Sequence, residues 1–484
     1  MAQTRTPLAA IVLAAGKGTR MKSQMAKVLH EVAGKPLAYF PVKRALEIGA
    51  NPVVVVVGHQ AEAVEAAVAA ALPGAPIRFA VQREQLGTAH AVLAAKDALR
   101  GYDGPVAILS GDTPLLTAET LEAVVRARGS AALALATMRL AEPRGYGRIV
   151  RDAGGRPARI AEEKDATVAE RAIDEVNAGL YCADARFLWD ALARVGTQNA
   201  QREFYLTDLV AMAARSGGAE AVAVPPEEAS GVNDREELAR AGRTLVRRHA
   251  SALMRLGVTI EDPDRFDCDD GVQIGPDTIV EPNVRLRGHT RIGAGCRIGQ
   301  GSILTDAVLA DGVTVRPYTV VDQSTVGSQA ILGPFSRLRP GSEIGEAAHV
   351  GNFVETKKTR LGKGAKANHL TYLGDAEIGP NVNVGAGTIT CNYDGEKKHP
   401  TTIGEGAFIG SDSILVAPIS IGAGAYVAAG STLTDSVPPG SLALGRAKQV
   451  TKEGWVARRA AEKQNKGAVA SAAPAPPKSE PGSG

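Results

Sequence analysis

Cysteine is scarce in this chain of 484 residues. Its four cysteines, Cys182, Cys268, Cys296 and Cys391, lie far apart. With no C-x-x-C spacing among them, neither a zinc cluster nor a disulfide framework is expected. An excess of charge is missing too. The formal net charge is +3 and the basic residues are dispersed, which leaves no footprint for nucleic acid and makes any anion site a local one. No apolar run approaches the length of a membrane span. The apolar stretch Pro7–Ala15 is short and runs into glycines, unlike a signal peptide. These absences imply a cytoplasmic protein with neither membrane nor nucleic-acid partners. The length accommodates two large domains and a tail.

What the chain does have is a repeat. From Ile274 an aliphatic residue returns every six positions, at Val280, Leu286, Ile292, Ile298 and Leu304. A small residue usually follows four places later: Thr278, Val284, Thr290, Cys296, Ser302. With occasional five-residue steps the pattern continues to Val384, then resumes from Ile403 to Leu433. Such units bury nothing alone and must stack. A parallel β-helix satisfies them, each short strand forming one wall of a prism, with Gly275, Gly293, Gly299 and Gly410 at tight corners. Cys296, at an inward small position, reads as a core residue. The period does not set the hand of the coil, because crossover connections are ordinarily right-handed.

The N-terminal part alternates apolar strand candidates (Ala9–Leu13, Val53–Val57, Val106–Leu109, Ala132–Thr137) with helical stretches (Ala61–Leu72, Thr88–Ala98). This is the pattern of a doubly wound, Rossmann-like α/β sheet, whose ligands gather beyond the carboxyl ends of the strands. The expected division is an N-terminal domain over 1–233, a connecting helix over 234–256 with Asn233 at its cap, a β-helix over 257–455, and a C-terminal extension over 456–484. From about Lys466 the extension is Ala, Pro, Ser and Gly, and no structure is expected there.

Two segments of the first domain carry chemistry. The first strand runs into Leu13-Ala14-Ala-Gly16-Lys-Gly18-Thr-Arg20, with Lys27 beyond. Glycines let backbone N–H groups approach a phosphate, and Arg20 and Lys27 add positive charge. The loop is neither a Walker A motif nor a complete GxGxxG. A later strand ends in Leu109-Ser-Gly-Asp112, an acid well placed to hold Mg²⁺ against phosphate oxygens. This combination closely resembles the signature of sugar-phosphate nucleotidyltransferases, with Ala26 where that family often has proline. Further segments are similar to its uridylyltransferase members: Gln82 with Gly87-Thr88, Gly145-Tyr-Gly147-Arg, Glu162, Asn177 and Gly231-Val-Asn233. The resemblance implies that Leu13, Ala14, Gly16 and Lys27 bind UTP. It also implies that Gln82, Gly87 and Thr88 read uracil, that Gly147, Glu162 and Asn177 read the sugar, and that Asn233 joins Asp112 on the metal. Lys27 and Arg20 take catalytic roles by offsetting triphosphate charge.

In the second domain the repeat breaks between Val384 and Ile403, and insertions in repeat proteins tend to carry binding groups. Another polar concentration surrounds His369, a residue suited to take up a proton near neutral pH. The segments around Arg339, Lys357, His369-Leu-Thr-Tyr372, Asn383-Val-Gly-Ala386, Asn392-Tyr393 and Gly410-Ser411 are similar to glucosamine-1-phosphate N-acetyltransferases. Only this likeness to left-handed β-helix acyltransferases supplies a left hand. It implies that Arg339 and Lys357 grip the sugar phosphate, that Tyr372 and Asn383 orient it, and that Asn392 and Tyr393 shape the amine and thioester site. Ala386, Ser411, Ala429 and Arg446 would contact acetyl-CoA, and His369 would be the general base. Cys391 as an acyl-carrying nucleophile is the weaker alternative, because an amine attacking a thioester needs no covalent relay.

To about Trp455 the chain thus resembles the bacterial bifunctional N-acetylglucosamine-1-phosphate uridyltransferase/glucosamine-1-phosphate acetyltransferase family. The resemblance implies synthesis of UDP-N-acetylglucosamine for cell-envelope glycans and a homotrimer with acetyl sites at subunit interfaces. The alternatives are a monofunctional sugar nucleotidyltransferase with a structural or regulatory β-helix, and a non-catalytic scaffold.

Overall fold

The computed structural model describes residues 7–471. In the N-terminal part nine strands form one sheet: β1 (Leu8–Ala14), β2 (Ala50–Val57), β3 (Ile77–Val81), β4 (Pro105–Ser110), β5 (Leu133–Arg139), β6 (Arg148–Arg151), β7 (Pro157–Ala161), β8 (Glu175–Asp184) and β9 (Ala219–Ala223). Their order is β9-β5-β8-β4-β1-β2-β3, with β6 and β7 attached beside β8. Strands β1, β2 and β4 are near-continuous runs of Val, Ile, Leu and Ala, buried on both faces as parallel strands covered by helices must be. The sheet departs from a purely parallel one at β8, which runs antiparallel to β4 and β5. Chain order reverses between β1 and β4. The loops after these two strands therefore part in opposite directions and open a crevice at their carboxyl ends. Gly111 N donates to Leu13 O at 2.8 Å and holds the two loop origins together.

Beyond residue 257 the chain winds into three parallel sheets of eleven, ten and nine strands, in which a strand pairs with the third one after it up to the final pairing of Tyr426–Val427 with Leu442–Ala443. The six-residue period becomes three stacks of core residues. One reads Val280, Ile298, Val315, Leu332, Val350, Ala367, Val384, Ile409 and Val427. The coil continues through the apparent break. Thr390, fully buried, occupies the aliphatic position and stacks on Leu415, so the insertion is confined to the loop Asn392–Pro400. Thr356 fills the same kind of position between Leu338 and Leu373.

The corner glycines act differently from expectation. Gly275, Gly293, Gly299 and Gly410 do not have positive φ. A Cβ on each would instead lie 2.5–2.7 Å from backbone atoms of the next coil, so they permit the coils to approach. Left-handed corners fall to Gly295, Gly301 and Gly312, and to short polar residues such as Asp277 and Asn283.

The connecting helix spans Arg235–Arg255 and is capped by Asp234, whose side chain accepts from Glu237 N, and not by Asn233. Val246, Ala250 and Leu253 join the β-helix core and close its open end, as a solenoid requires. Ala241 packs with Val32, Leu37, Tyr39, Phe40 and Leu115 of the N-terminal part. At the other end a helix spans Trp455–Ser471. It carries the chain past Lys466, where composition gave no structure, because Ala, Arg, Lys and Glu before Lys466 favour helix strongly enough to propagate it. The rest of the tail lies outside the described residues.

Candidate functional site

The crevice beyond β1 and β4 is a polar cleft of about 430 Å³ lined by Arg20, Asp112, Gly147, Glu162, Asn177 and Asn233, among others. Lys27 donates from Nζ to Asp112 Oδ2, and the same ammonium lies 3.3 Å from Asn233 Oδ1, which also accepts from Arg20 at 2.7 Å. Sequence-distant residues thus converge on one point. Gly18 makes this possible: it has φ +66°, and a Cβ there would lie 2.4 Å from Lys27 Cβ. Ala26 has the φ of −55° that proline would impose, and its N–H donates to Gln60 Oε1 at 2.8 Å, a bond proline could not make.

On the other side of the loop, Gln85 Nε2 donates to Ala15 O at 2.7 Å and Gln82 Nε2 to Gly87 O at 3.2 Å. This brings Gln82, Gly87 and Thr88 beside the end of β1. Deeper in the cleft, Asn177 Nδ2 donates to Tyr181 Oη at 2.7 Å. Burial pushes the Glu162 carboxyl above its usual range, a rise that a hydrogen bond from Thr207 counters.

Oxygens from Asp112 and Asn233 reaching one ammonium form a hard donor set that would suit Mg²⁺. Among the described residues no cluster of three or more His, Cys, Asp or Glu is present.

On the β-helix, Arg339, Lys357 and Tyr372 occupy adjacent coils of one wall. Arg339 pairs with Glu355 at 2.9 Å. The Lys357 ammonium is pushed below its usual range chiefly by Lys398 beside it, with Arg339 adding to the effect. Arg339, Lys357 and Lys398 outnumber the carboxylates beside them, Glu355 and Asp375, and this excess of positive charge favours an anion. Asn392 is buried and donates to Asp375 Oδ2 at 2.5 Å, which anchors the base of the inserted loop. Tyr393, next to it, is exposed, and its backbone bridges to Lys398 across the loop. Gly374 leaves room for two groups at once: a Cβ there would lie 2.3 Å from Tyr372 Oη and 2.7 Å from Asn392 Nδ2.

His369 is exposed on the neighbouring wall, in register with Asn352. Asn383 pairs with Lys366 of the same wall. Ala386, Ser411 and Ala429 stand at successive corners beyond it, linked by Asp412 N to Ala386 O at 2.7 Å and Gly430 N to Ser411 O at 2.8 Å. Arg446 closes that column with a 2.8 Å bond to Ala429 O. The structure therefore gathers the expected residues into two separate sets. Cys391 is part-buried, and its Sγ has no hydrogen-bonded base among the described residues.

Family models match in three places: a MobA-like NTP transferase domain over residues 10–205, a GMPPB C-terminal domain over 267–362, and a hexapeptide repeat of succinyl-transferase over 400–435. The bifunctional protein GlmU of Anaeromyxobacter sp. (strain Fw109-5) is 81% identical over 476 residues, covering 98% of both chains. That of Anaeromyxobacter dehalogenans (strain 2CP-C) is 76% identical over 477 residues, again 98% of both. The GlmU of Trichlorobacter lovleyi is 52% identical over 455 residues, 93% of this chain and 98% of its own. The chain belongs to the bifunctional GlmU family. It carries that family's nucleotidyltransferase domain with a mixed sheet and its parallel β-helix of hexapeptide repeats. Among the described residues no helix is long and apolar enough to cross a membrane.

Sequence reasoning missed several residues that the GlmU fold brings to these sites. Arg144, Tyr146 and Glu237 line the cleft, and Glu237 Oε2 accepts from Asn233 N at 2.7 Å. Thr207, Gly374, Asp375 and Lys398 support or flank the others. Tyr146 lies within a quoted motif and Lys398 within the segment that interrupts the repeat, so their positions were available, but their direction depends on the fold. Thr207 and Asp375 act through long-range contacts that no local pattern signals.

Proposed function

We propose that this chain acetylates glucosamine 1-phosphate from acetyl-CoA and then transfers a uridylyl group from UTP to the N-acetylglucosamine 1-phosphate formed, releasing pyrophosphate. The convergence of Lys27, Arg20, Asp112 and Asn233 on one point of the crevice carries the second reaction. Such transfer needs alignment and charge neutralisation rather than a covalent nucleophile. Leu13, Ala14 and Gly16 present backbone to the nucleotide, while Gln82, Gly87 and Thr88 read uracil. Gly147, Glu162 and Asn177 hold the sugar, and Lys27 and Arg20 neutralise the phosphates. Asp112 and Asn233 hold Mg²⁺, which when bound supplies further charge neutralisation on the triphosphate. In the β-helix, Arg339, Lys357 and Lys398 take the sugar phosphate, and Tyr372 and Asn383 orient the ring. His369 removes a proton from the sugar ammonium so that the amine can attack the thioester carbonyl near Asn392 and Tyr393, releasing CoA thiol. The small-residue column Ala386, Ser411 and Ala429 leaves space for the long acyl carrier, with Arg446 for one of its phosphates.

The domains divide at 1–233, 234–256, 257–455 and 456–484, and the protein is cytoplasmic. It works as a homotrimer. The apolar ladder of Tyr318, Phe335 and Phe353 supports this, with rings stacked 5.4 Å apart at successive corners and all three exposed. Leu370, also exposed, follows directly after His369. Covering this ladder would bury apolar surface beside the acetyl site. Sedimentation velocity should give three times the chain mass; a monomer would overturn the assembly.

The activities are tested by incubating the protein with glucosamine 1-phosphate, acetyl-CoA, UTP and Mg²⁺ while following free thiol and pyrophosphate separately. Both should rise. Pyrophosphate alone, and only with acetylated substrate, would reduce the β-helix to a structural role. The absence of both signals would overturn the reading.

A further inference from the structure

The carboxylate assigned to the sugar is held from behind. Thr207 Oγ1 donates to Glu162 Oε1 at 2.8 Å. Thr207 is buried, 6% exposed, and is not among the residues lining the cleft that Glu162 faces. Its hydroxyl does not cap the helix Asp208–Ser216 that it precedes. Its hydrogen bond therefore serves Glu162 and not the helix.

The segment that delivers Thr207 is fixed to the opposite side of the cleft. Phe204 N donates to Leu86 O at 2.8 Å, Ala89 N to Phe204 O at 2.9 Å, and Leu206 N to Thr88 Oγ1 at 3.0 Å. Gly87 has φ +120°, and a Cβ there would lie 2.5 Å from Phe204 O, so contact is as close as backbone allows. The His90 ring, 3.2 Å from Gln82 at its Nδ1, lies against Phe204 with centroids 6.3 Å apart. A short strut, Phe204–Thr207, thus touches the base-reading residues at one end and the sugar-reading carboxylate at the other.

We propose that Thr207 is a positioning residue for sugar 1-phosphate recognition: its hydroxyl holds the Glu162 carboxylate in a fixed orientation, from a strut registered on the base site. This rests on the reading that Glu162 contacts the sugar. A hydroxyl bonded to one carboxylate oxygen leaves the other to accept from a sugar hydroxyl. Without that donor, burial favours the protonated form and the side chain loses its fixed rotamer.

The test uses the full-length protein and uridylyl transfer to N-acetylglucosamine 1-phosphate. Thr207→Val should raise KM for the sugar phosphate about tenfold, with KM for UTP and kcat each within about threefold and acetyl transfer unchanged. Thr207→Ser should restore the sugar KM. Thr207→Ala carries the same expectation as valine, so a folding defect in one variant does not decide the outcome. A rise in both KM values together, a loss confined to kcat, or failure of serine to rescue would overturn the proposal. Glu162→Gln separates the two levels. If it leaves the sugar KM unchanged, the assignment of Glu162 fails; if it raises that KM and Thr207→Val does not, only the positioning role fails. In the Glu162→Gln background, Thr207→Val should add nothing further.

Discussion

Asn233 shows how one residue type supports two readings until its neighbours are known. A polar residue just before a helix suggests a cap, yet Asp234 takes that role and leaves Asn233 Oδ1 to Arg20 and Lys27. Asp112 shares Lys27 with it. Replacing it with alanine should lower Mg²⁺-dependent uridylyl transfer by about 10²–10³-fold, the scale for losing one electrostatic stabiliser, and leave acetyl transfer intact. Separate pyrophosphate and thiol assays check this, and near-wild-type pyrophosphate release would remove Asp112 from the site. His369→Ala should do the reverse, lowering acetyl transfer by about 10²–10⁴-fold while sparing uridylyl transfer. Equal loss of both activities would indicate unfolding. The identities of these residues were legible because each sits in a short motif; Thr207 and Lys398 were not singled out, because their importance lies in what they touch.

The β-helix is legible as an element because its period is short and its inward residues are chemically uniform. Two details escaped that pattern. Thr356 and Thr390 fill aliphatic places and satisfy their hydroxyls internally, Thr390 through Gly374 N at 2.8 Å and Thr356 through Ser342 Oγ at 2.9 Å. A threonine there looks like a gap in sequence but not in the packed coil. The corner glycines likewise look alike and differ in cause. Gly293→Ala should destabilise the protein by about 3 kcal/mol, the upper end for overpacking, because the new methyl meets backbone of the next coil at 2.7 Å. Gly295→Ala, with φ +62° but open space around it, should cost only about 1 kcal/mol of left-handed strain. Chemical denaturation of the two variants should reproduce that order.

Across the whole molecule, the two halves are joined by the connecting helix and by Asp270 of the first coil. Its carboxylate accepts from Tyr39 Oη at 2.6 Å and pairs with Lys43 at 2.7 Å. Burial alone would raise its pKa, but these bonds and the Lys43 charge outweigh it and hold the group below its ordinary 3.8. A carboxyl depressed on folding stabilises fully above its unfolded value and loses that contribution as pH falls through the folded one. Asp270→Asn should therefore lower stability by about 2 kcal/mol near neutrality, with the gap closing as pH falls below about 4. Thermal unfolding from pH 7 to 3 measures it, and a constant gap would overturn the assignment. The sequence by itself determined the elements: alternating strands and helices, the prism of hexapeptides, the connecting helix, and the motifs that name the chemistry. These depend on local periodicity and backbone preference, which a linear reading contains. Only the tertiary structure decided which oxygens meet which cations, that the coil runs on beneath the inserted loop, and that glycines separate stacked backbones. Those outcomes depend on contacts between residues far apart in sequence, and they exist only once the core has fixed the distances.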